Sequence, residues 1–343
     1  MAYTTIKKPS DYFNTVTYTG NTSAGHAITG VGFQPDLTWN KSRANATPHY
    51  LFDVIRGATN FIKSDSTSAE SQNTDTLTSF DSDGFTLGNA TGNNGSGSFA
   101  SWNWLANGAG SSNTDGDITS TVSANTTSGF SIVSYTGNAT SGATVGHGLG
   151  STPKMIIFKD RSNVNGWHTY HSSFANATDL LLLDTTGALY TANYYINNTR
   201  PTSSVFSLGN GAGTNGSSEN YIAYCFAEKQ GYSKFGSYDG NSIGNDNNFQ
   251  YCGFSPAFVM IKCSSAVESW VMFDSKRNGF NPDNDELYPN LSNAESSVES
   301  VDFLSNGFNP YKGTGTINRS GKSYIYMAFA EQPLVGDNPA TAR

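Results

Sequence analysis

Short runs in which apolar and polar residues alternate set the character of this chain. Phe130-Ser-Ile-Val-Ser-Tyr135 follows the period of two expected of a half-buried strand and ends at a Thr-Gly-Asn turn. Pro153-Lys-Met-Ile-Ile-Phe-Lys159 is a short apolar run bounded by turn residues, which predicts a central strand buried on both faces. Trp167-His-Thr-Tyr170, Leu180-Leu-Leu-Leu183, Ser203-Ser-Val-Phe-Ser-Leu208 and Tyr221-Ile-Ala-Tyr-Cys-Phe-Ala227 add further strands, about seven in roughly 100 residues. No stretch has the Ala, Leu, Glu and Lys mixture of a helix. Strands separated by turns, without helices to cross over a parallel sheet, predict a two-layer antiparallel β-sandwich. In the last run Ile222, Tyr224 and Phe226 share one face, expected to be the sandwich core, and Tyr221, Ala223 and Cys225 share the other.

This pattern occurs three times. Tyr18-Thr-Gly-Asn21, Tyr135-Thr-Gly-Asn138 and Tyr238-Asp-Gly-Asn241 each open a segment that next meets a proline (Pro35, Pro153, Pro256) and then a lysine (Lys41, Lys159, Lys262). An aromatic strand closes each copy, ending at Trp104, Phe226 and Phe329. Self-similarity on this scale predicts an all-β chain of three tandem antiparallel β-sandwich repeats, of jelly-roll or lectin-like type, over residues 15–107, 129–230 and 231–332. A turn-rich stretch at 108–128 reads as a linker that leaves the first unit freer, whereas the second runs directly into the third. Residues 1–14 carry Ile6, Pro9, Tyr12 and Phe13, which suggests a docking arm, the alternative being a strand folded back on its own domain. Residues 333–343 read as a weakly packed tail.

Composition narrows the function classes. Only 13% of residues are charged and 13% are aromatic while Gly, Ser, Thr and Asn dominate the rest, so the surface is expected to be sparsely charged and hydrogen-bonding, and the formal net charge is −8. Scattered Lys and Arg argue against a nucleic-acid partner, which requires clustered cations. No apolar run long enough to span a membrane occurs, and the start lacks the apolar core of a signal peptide. Those features predict a product assembled in a host cytoplasm without membrane insertion. Cys225, Cys252 and Cys263 are an odd count, which predicts no disulfide framework; Cys225, in an apolar strand, reads as a buried thiol.

Candidate chemistry is sparse. Asp53, Arg56 and Glu70 recur as Asp274, Arg277 and Glu295, while the second unit has Trp167-His-Thr-Tyr-His171 instead. Paired carboxyls could serve a glycosidase. An arginine between two carboxyls favours their ionised forms and withholds the protonated acid that such hydrolysis needs, so structural ion pairs are expected and catalysis is not. His168 and His171 lie three apart on a strand and point to opposite faces, and with His147 in a turn they make no expected metal site. Asp81-Ser-Asp-Gly84, Asp115-Gly-Asp117 and Asn281-Pro-Asp-Asn-Asp-Glu286 fall short of an EF-hand, and the first, where the third unit has Ser305-Asn-Gly307, reads as Asx-turn geometry. No nucleophile elbow, P-loop or dinucleotide fingerprint is present, and no cofactor is expected. Trp39, Trp102, Trp104, Trp167 and Trp270 could stack on sugars but suit a sandwich core better, leaving Tyr194 and Tyr195 as the candidates for glycan contact.

Tyr135-Thr-Gly-Asn138, Gly146-His-Gly-Leu-Gly-Ser-Thr-Pro-Lys-Met-Ile-Ile157 and the stretch from Tyr221 to Tyr238 carry a family likeness. There the chain resembles a repeated β-rich module of bacteriophage structural proteins, found particularly in phages of marine bacteria, in chains labelled tail fibre or virion protein. The likeness runs from Lys8-Pro-Ser-Asp-Tyr-Phe13 to Ala328-Phe-Ala-Glu331. It implies a virion component with a lectin-like sandwich. The expectation is a non-enzymatic structural protein on the particle surface, as a tail fibre or as a capsid decoration or head fibre, that binds other virion proteins and host-surface glycans. By analogy with fibres it is expected to form a homo-oligomer, with a trimer as the default. The alternatives are a purely structural capsid cement protein and a polysaccharide depolymerase.

Overall fold

Alternation in the sequence becomes antiparallel sheet in the structure. A computed structural model describes residues 3–242, 248–277, 281–283, 285–310, 315–336 and 339–340. Among them the chain is nearly all β, and its helical pieces are turns of three or four residues.

Each segment builds the same four-stranded arrangement. In the first, Phe13–Gly20, Gly97–Trp104, Leu37–Ser42 and Tyr50–Asp53 lie side by side in that order. The second aligns Phe130–Thr136, Asn220–Phe226, Met155–Asp160 and His168–His171, and the third Ser233–Asp239, Ser323–Pro333, Phe254–Cys263 and Trp270–Asp274. These are the opening, closing, central and flanking strands of each segment. The closing strand always sits between the opening and central strands, so the aromatic run that ends each copy is paired on both sides.

The second sheet grows to eight strands. Ser111–Asn113 and Ser120–Asn125 add beside its opening strand, and Asp179–Leu182 and Tyr190–Thr191 beyond its flanking strand. This corrects the linker expected over 108–128, because Thr121 to Ala124 pair residue by residue with Ser131 to Ser134. Ser, Thr and Asn there belong to the exposed edge strand Ser111–Asn113 and the strand beside it.

Smaller sheets cover one face of each large sheet. In the first segment His26–Thr29, Gly84–Leu87 and Leu77–Asp81 form such a layer, and Ile28, Leu77 and Phe85 pack with Phe52. Thr144–Gly146 with Val205–Ser207, and Gln250–Tyr251 with Gly307–Pro310 and Val301–Leu304, do the same in the other two. The face built from Tyr221, Ala223 and Cys225 turns toward this private layer.

Ile222, Tyr224 and Phe226 face elsewhere, and here the expected core face is corrected. They join Ala100, Trp102 and Trp104 and also Ile325, Met327 and Phe329 in one core shared by all three segments. Trp104, Phe226 and Phe329, at equivalent positions, meet one another with ring centroids 6.3, 5.7 and 6.0 Å apart. The sheets therefore stand around a common axis with their aromatic closing strands inward. A strand apolar on both faces cannot show in sequence which face goes to which core.

Two further expectations change with the shared core. The first segment is not freer than the others, since Leu37, Trp39, Trp102 and Trp104 lie within that core. The chain start folds back onto it: Ile6 and Phe13 are 1% exposed and Pro9 is buried. Phe13 packs on Trp104 and Phe329 at 4.9 and 5.0 Å, Tyr12 meets Tyr232 edge-on, and the Tyr3 hydroxyl donates to the Gly253 carbonyl. Ile6 and Phe13 belong to the common core and Pro9 is buried, so these side chains do not present a docking surface. Of the expected tail, Pro333 ends the last closing strand, while 337–338 and 341–343 lie outside the described residues.

Candidate functional site

The residues that recur three times hold the fold together. In each opening motif the asparagine N–H donates to the side-chain oxygen of a buried asparagine on a short turn: Asn21 to Asn94 at 2.9 Å, Asn138 to Asn215 at 2.9 Å and Asn241 to Asn318 at 3.1 Å. The motif tyrosine donates its hydroxyl to the carbonyl just before that asparagine, at 2.8, 2.7 and 2.6 Å for Tyr18, Tyr135 and Tyr238. The same rings stack on Phe99, Tyr221 and Tyr324 of the closing strands. A Cβ on Gly137 would lie 2.2 Å from the Gly216 carbonyl oxygen, so the motif glycine permits this close approach. Sequence reading missed Asn94, Asn215 and Asn318. Their signal is weak, a short Asn-X-Ser run at the same place in each copy: Asn94-Gly-Ser96, Asn215-Gly-Ser217 and Asn318-Arg-Ser320.

The charged sets lie at the seams between segments. Asp53 pairs with Arg56 at 2.5 Å and Arg56 reaches Glu70 at 3.3 Å; Asp274 pairs with Arg277 at 2.6 Å and Arg277 with Glu295 at 2.9 Å. Each set meets the next segment. Tyr224 of the second donates its hydroxyl to Asp53 at 2.8 Å, and Arg161 pairs with Glu70 at 2.9 Å. Trp102 of the first donates its indole N–H to Asp274 at 2.9 Å, and Arg43 pairs with Glu295 at 2.8 Å. Burial alone would depress the Arg56 and Arg277 guanidiniums, but the adjacent carboxylates outweigh it and hold both above their ordinary value.

The third seam uses different chemistry for the same contact. His171 stands in the place of Asp53 and Asp274, Phe174 in that of the arginines, and Met327 in that of Tyr224 and Trp102. The His171 ring nitrogen meets the Tyr326 carbonyl oxygen at 3.2 Å. The divergence of the second segment at these positions is therefore an internal matter of packing and not a free binding surface. First meets second, second meets third and third meets first, which closes the ring.

Equivalent lysines and tryptophans mark the same seams. Lys159 donates to the Thr67 carbonyl of the first segment at 3.0 Å and Lys262 to the Thr186 carbonyl of the second at 3.4 Å; burial pushes each ammonium, and that of Lys41, down to about 8. Trp167 and Trp270 donate their indole N–H groups to the Lys63 and Leu182 carbonyls, both at 2.9 Å. All five tryptophans lie in the shared core and none offers a sugar platform. The apolar space left at its centre, about 10 Å³, is too small for a ligand.

Other candidates are placed as follows. His168 and His171 turn to opposite faces of their strand, His168 meeting the Tyr190 hydroxyl at 2.7 Å, and burial depresses them to about 3 and about 4. Asp81 accepts from Ser79 and Thr86, Asp83 from the Gly30 and Gly32 amides, and Asp117 from Thr144. Among the described residues no group of three or more His, Cys, Asp or Glu is arranged to hold a metal; residue 284 of the 281–286 loop lies outside them. The three cysteines are free and buried.

Tyr194 and Tyr195 part company. Tyr194 is 48% exposed at the rim of an open depression of about 610 Å³, lined also by Asn176, Thr178, Thr191, Asn193 and Asn198. Tyr195 turns inward, its ring 3.8 Å from that of His168. An aromatic face beside amides and hydroxyls is the arrangement that a sugar ring requires, so Tyr194 alone keeps the candidacy. A second, tighter cleft of about 290 Å³ lies between the second and third segments, and no residue pattern announced it.

Comparison with known proteins returns no match among curated proteins and none among solved structures. One family matches, over residues 8–333, and by that match the chain belongs to the family described as Domain of unknown function (DUF7483).

Proposed function

We propose that this chain is a non-enzymatic structural protein of a bacteriophage virion, displayed on the particle as a tail fibre or as a capsid decoration or head fibre, and that its three segments are lectin-like β-sandwiches. The observation that carries the reading is the location of the charged residues. The acid and arginine sets that recur are closed inside the seams, with Asp53 and Asp274 at 0% exposure, so they support rigidity and are out of reach of a polysaccharide. What remains outside is a sparsely charged surface rich in Asn, Ser, Thr and Gly, suited to many weak polar contacts with host glycans, with Tyr194 the first contact to examine. In this reading the chain is assembled in the host cytoplasm and released with the particle. A homo-oligomer, a trimer by analogy with fibres, would add to a threefold character already present within one chain.

Gold-labelled antibody to this chain, applied to purified phage particles that encode it, tests the proposal. Regular labelling of tail or capsid is the expected result, and unlabelled particles with the chain only in the free lysate fraction would overturn it. Purified chain that labels particles yet leaves host cells and a glycan array blank is a cement protein. Shortening of host polysaccharide by the purified chain would favour the depolymerase reading, with an acid pair other than Asp53 and Asp274.

A further inference from the structure

We propose that the cleft between the second and third segments is a binding site for a neutral polyhydroxylated molecule of monosaccharide size. Comparison of the three seams reveals it. At each seam one backbone N–H of the earlier segment donates to a carbonyl of the next: Glu70 to Arg161 at 3.0 Å, Leu189 to Ser264 at 2.8 Å and Glu295 to Arg43 at 2.9 Å. The backbone is thus kept three times, but the side chains are not. Two seams fill the space above this bond with a Glu and Arg pair, and Arg161 also reaches the Ser134 hydroxyl at 3.2 Å. The remaining seam has Leu189 and Ser264 at those positions and Ser237 at that of Ser134. Where two long charged side chains stand elsewhere, a cleft of about 290 Å³ is left, near the lower limit for small-molecule sites.

The lining gives the chemistry. Its apolar contact comes chiefly from Leu189, 36% exposed, beside Phe174 and Ile325, which are largely buried in the shared core. The lining also includes Ser173, Ser237, Ser264 and Ser323 and Asp239, to whose carboxylate Ser323 donates at 2.7 Å. No Lys or Arg lines the cleft, which disfavours an anion. Apolar contact beside serine hydroxyls and a carboxylate acceptor suits the mixed apolar and hydroxylated surface of a pyranose. The site is separate from Tyr194 and does not depend on the virion reading.

Saturation-transfer NMR on the full chain, with glucose, galactose, mannose, N-acetylglucosamine and inositol as probes, tests the site. At least one probe should bind saturably. The Ser264→Arg/Leu189→Glu variant, which copies the filled seams, should weaken that binding at least about tenfold, and Ser237→Phe, which blocks the cleft from an exposed position, should do the same if the double variant fails to fold. Tyr194→Ala should leave it unchanged. No saturable binding by any probe, equal binding by a folded filled variant, or loss of binding in Tyr194→Ala would each overturn the proposal. A failure of antibody labelling on particles would leave this result untouched, so the two readings fail separately.

Discussion

A single buried side chain can hold a loop of this fold. Asn215 accepts from the Asn138 N–H and donates to the Thr140 and Gly209 carbonyls, at 2.9, 3.0 and 2.7 Å. Asn215→Ala would leave the buried Gly209 carbonyl and two part-buried backbone groups without this partner, and urea unfolding should show a loss of about 3 kcal/mol; a loss under about 1 kcal/mol would mean that the turn holds itself. His171 gives a pH signature. Burial sets its folded pKa at about 4, below the ordinary 6.5, so the unfolded chain takes the proton first as pH falls. Its stabilising share is complete above pH 6.5 and is lost toward pH 4, on the order of 3 kcal/mol, and His168 acts in the same direction. Urea midpoints at pH 7 and pH 4.5 should therefore fall steeply in the wild type and less steeply in His171→Gln. At this scale the opening tyrosine, glycine and asparagine were legible because they repeat as a motif. Asn215 was not, because its role is defined by a strand more than seventy residues away.

Strands and seams differ in what the sequence discloses. Phe130–Thr136, Met155–Asp160 and Asn220–Phe226 lie where alternation and apolar runs predict them, within two residues at each end. Ser111–Asn113 and Ser120–Asn125 were hidden by their Ser, Thr and Asn content, which a linker and an edge strand share. The recurring Asp, Arg and Glu residues could be read as ion pairs, but their partners Tyr224, Trp102, Arg161 and Arg43 come from neighbouring segments and are not foreseeable from spacing. Removing one member of a buried pair should be severe. Arg277→Met leaves Asp274 buried beside Trp102 without its cation and should cost about 3–5 kcal/mol in urea unfolding. Copying the third seam instead, with Asp274→His, Arg277→Phe and Trp102→Met together, should recover much of that loss. Equal instability of the triple and single variants would show that the seams are not interchangeable.

The threefold repeat implies three units, yet the molecule has one core that all three share. Trp104, Phe226 and Phe329 meet at its centre, the start of the chain packs into it, and the seams close in a ring. Each segment also keeps a private core under its small outer sheet, on the face of the closing strand opposite to the one expected to be the sandwich core. The shared core was not legible, because tandem copies on a string and copies around an axis have the same sequence periodicity. Inward aromatic faces would be exposed in any isolated segment, so residues 108–230 alone should aggregate or stay molten. Deleting residues 1–14 should unfold the whole chain, as Ile6 and Phe13 leave the core. The most direct test is calorimetry of the full chain. One thermal transition with calorimetric and van't Hoff enthalpies in agreement is the predicted result; two or three resolved transitions, each with its own van't Hoff enthalpy, would contradict a common core.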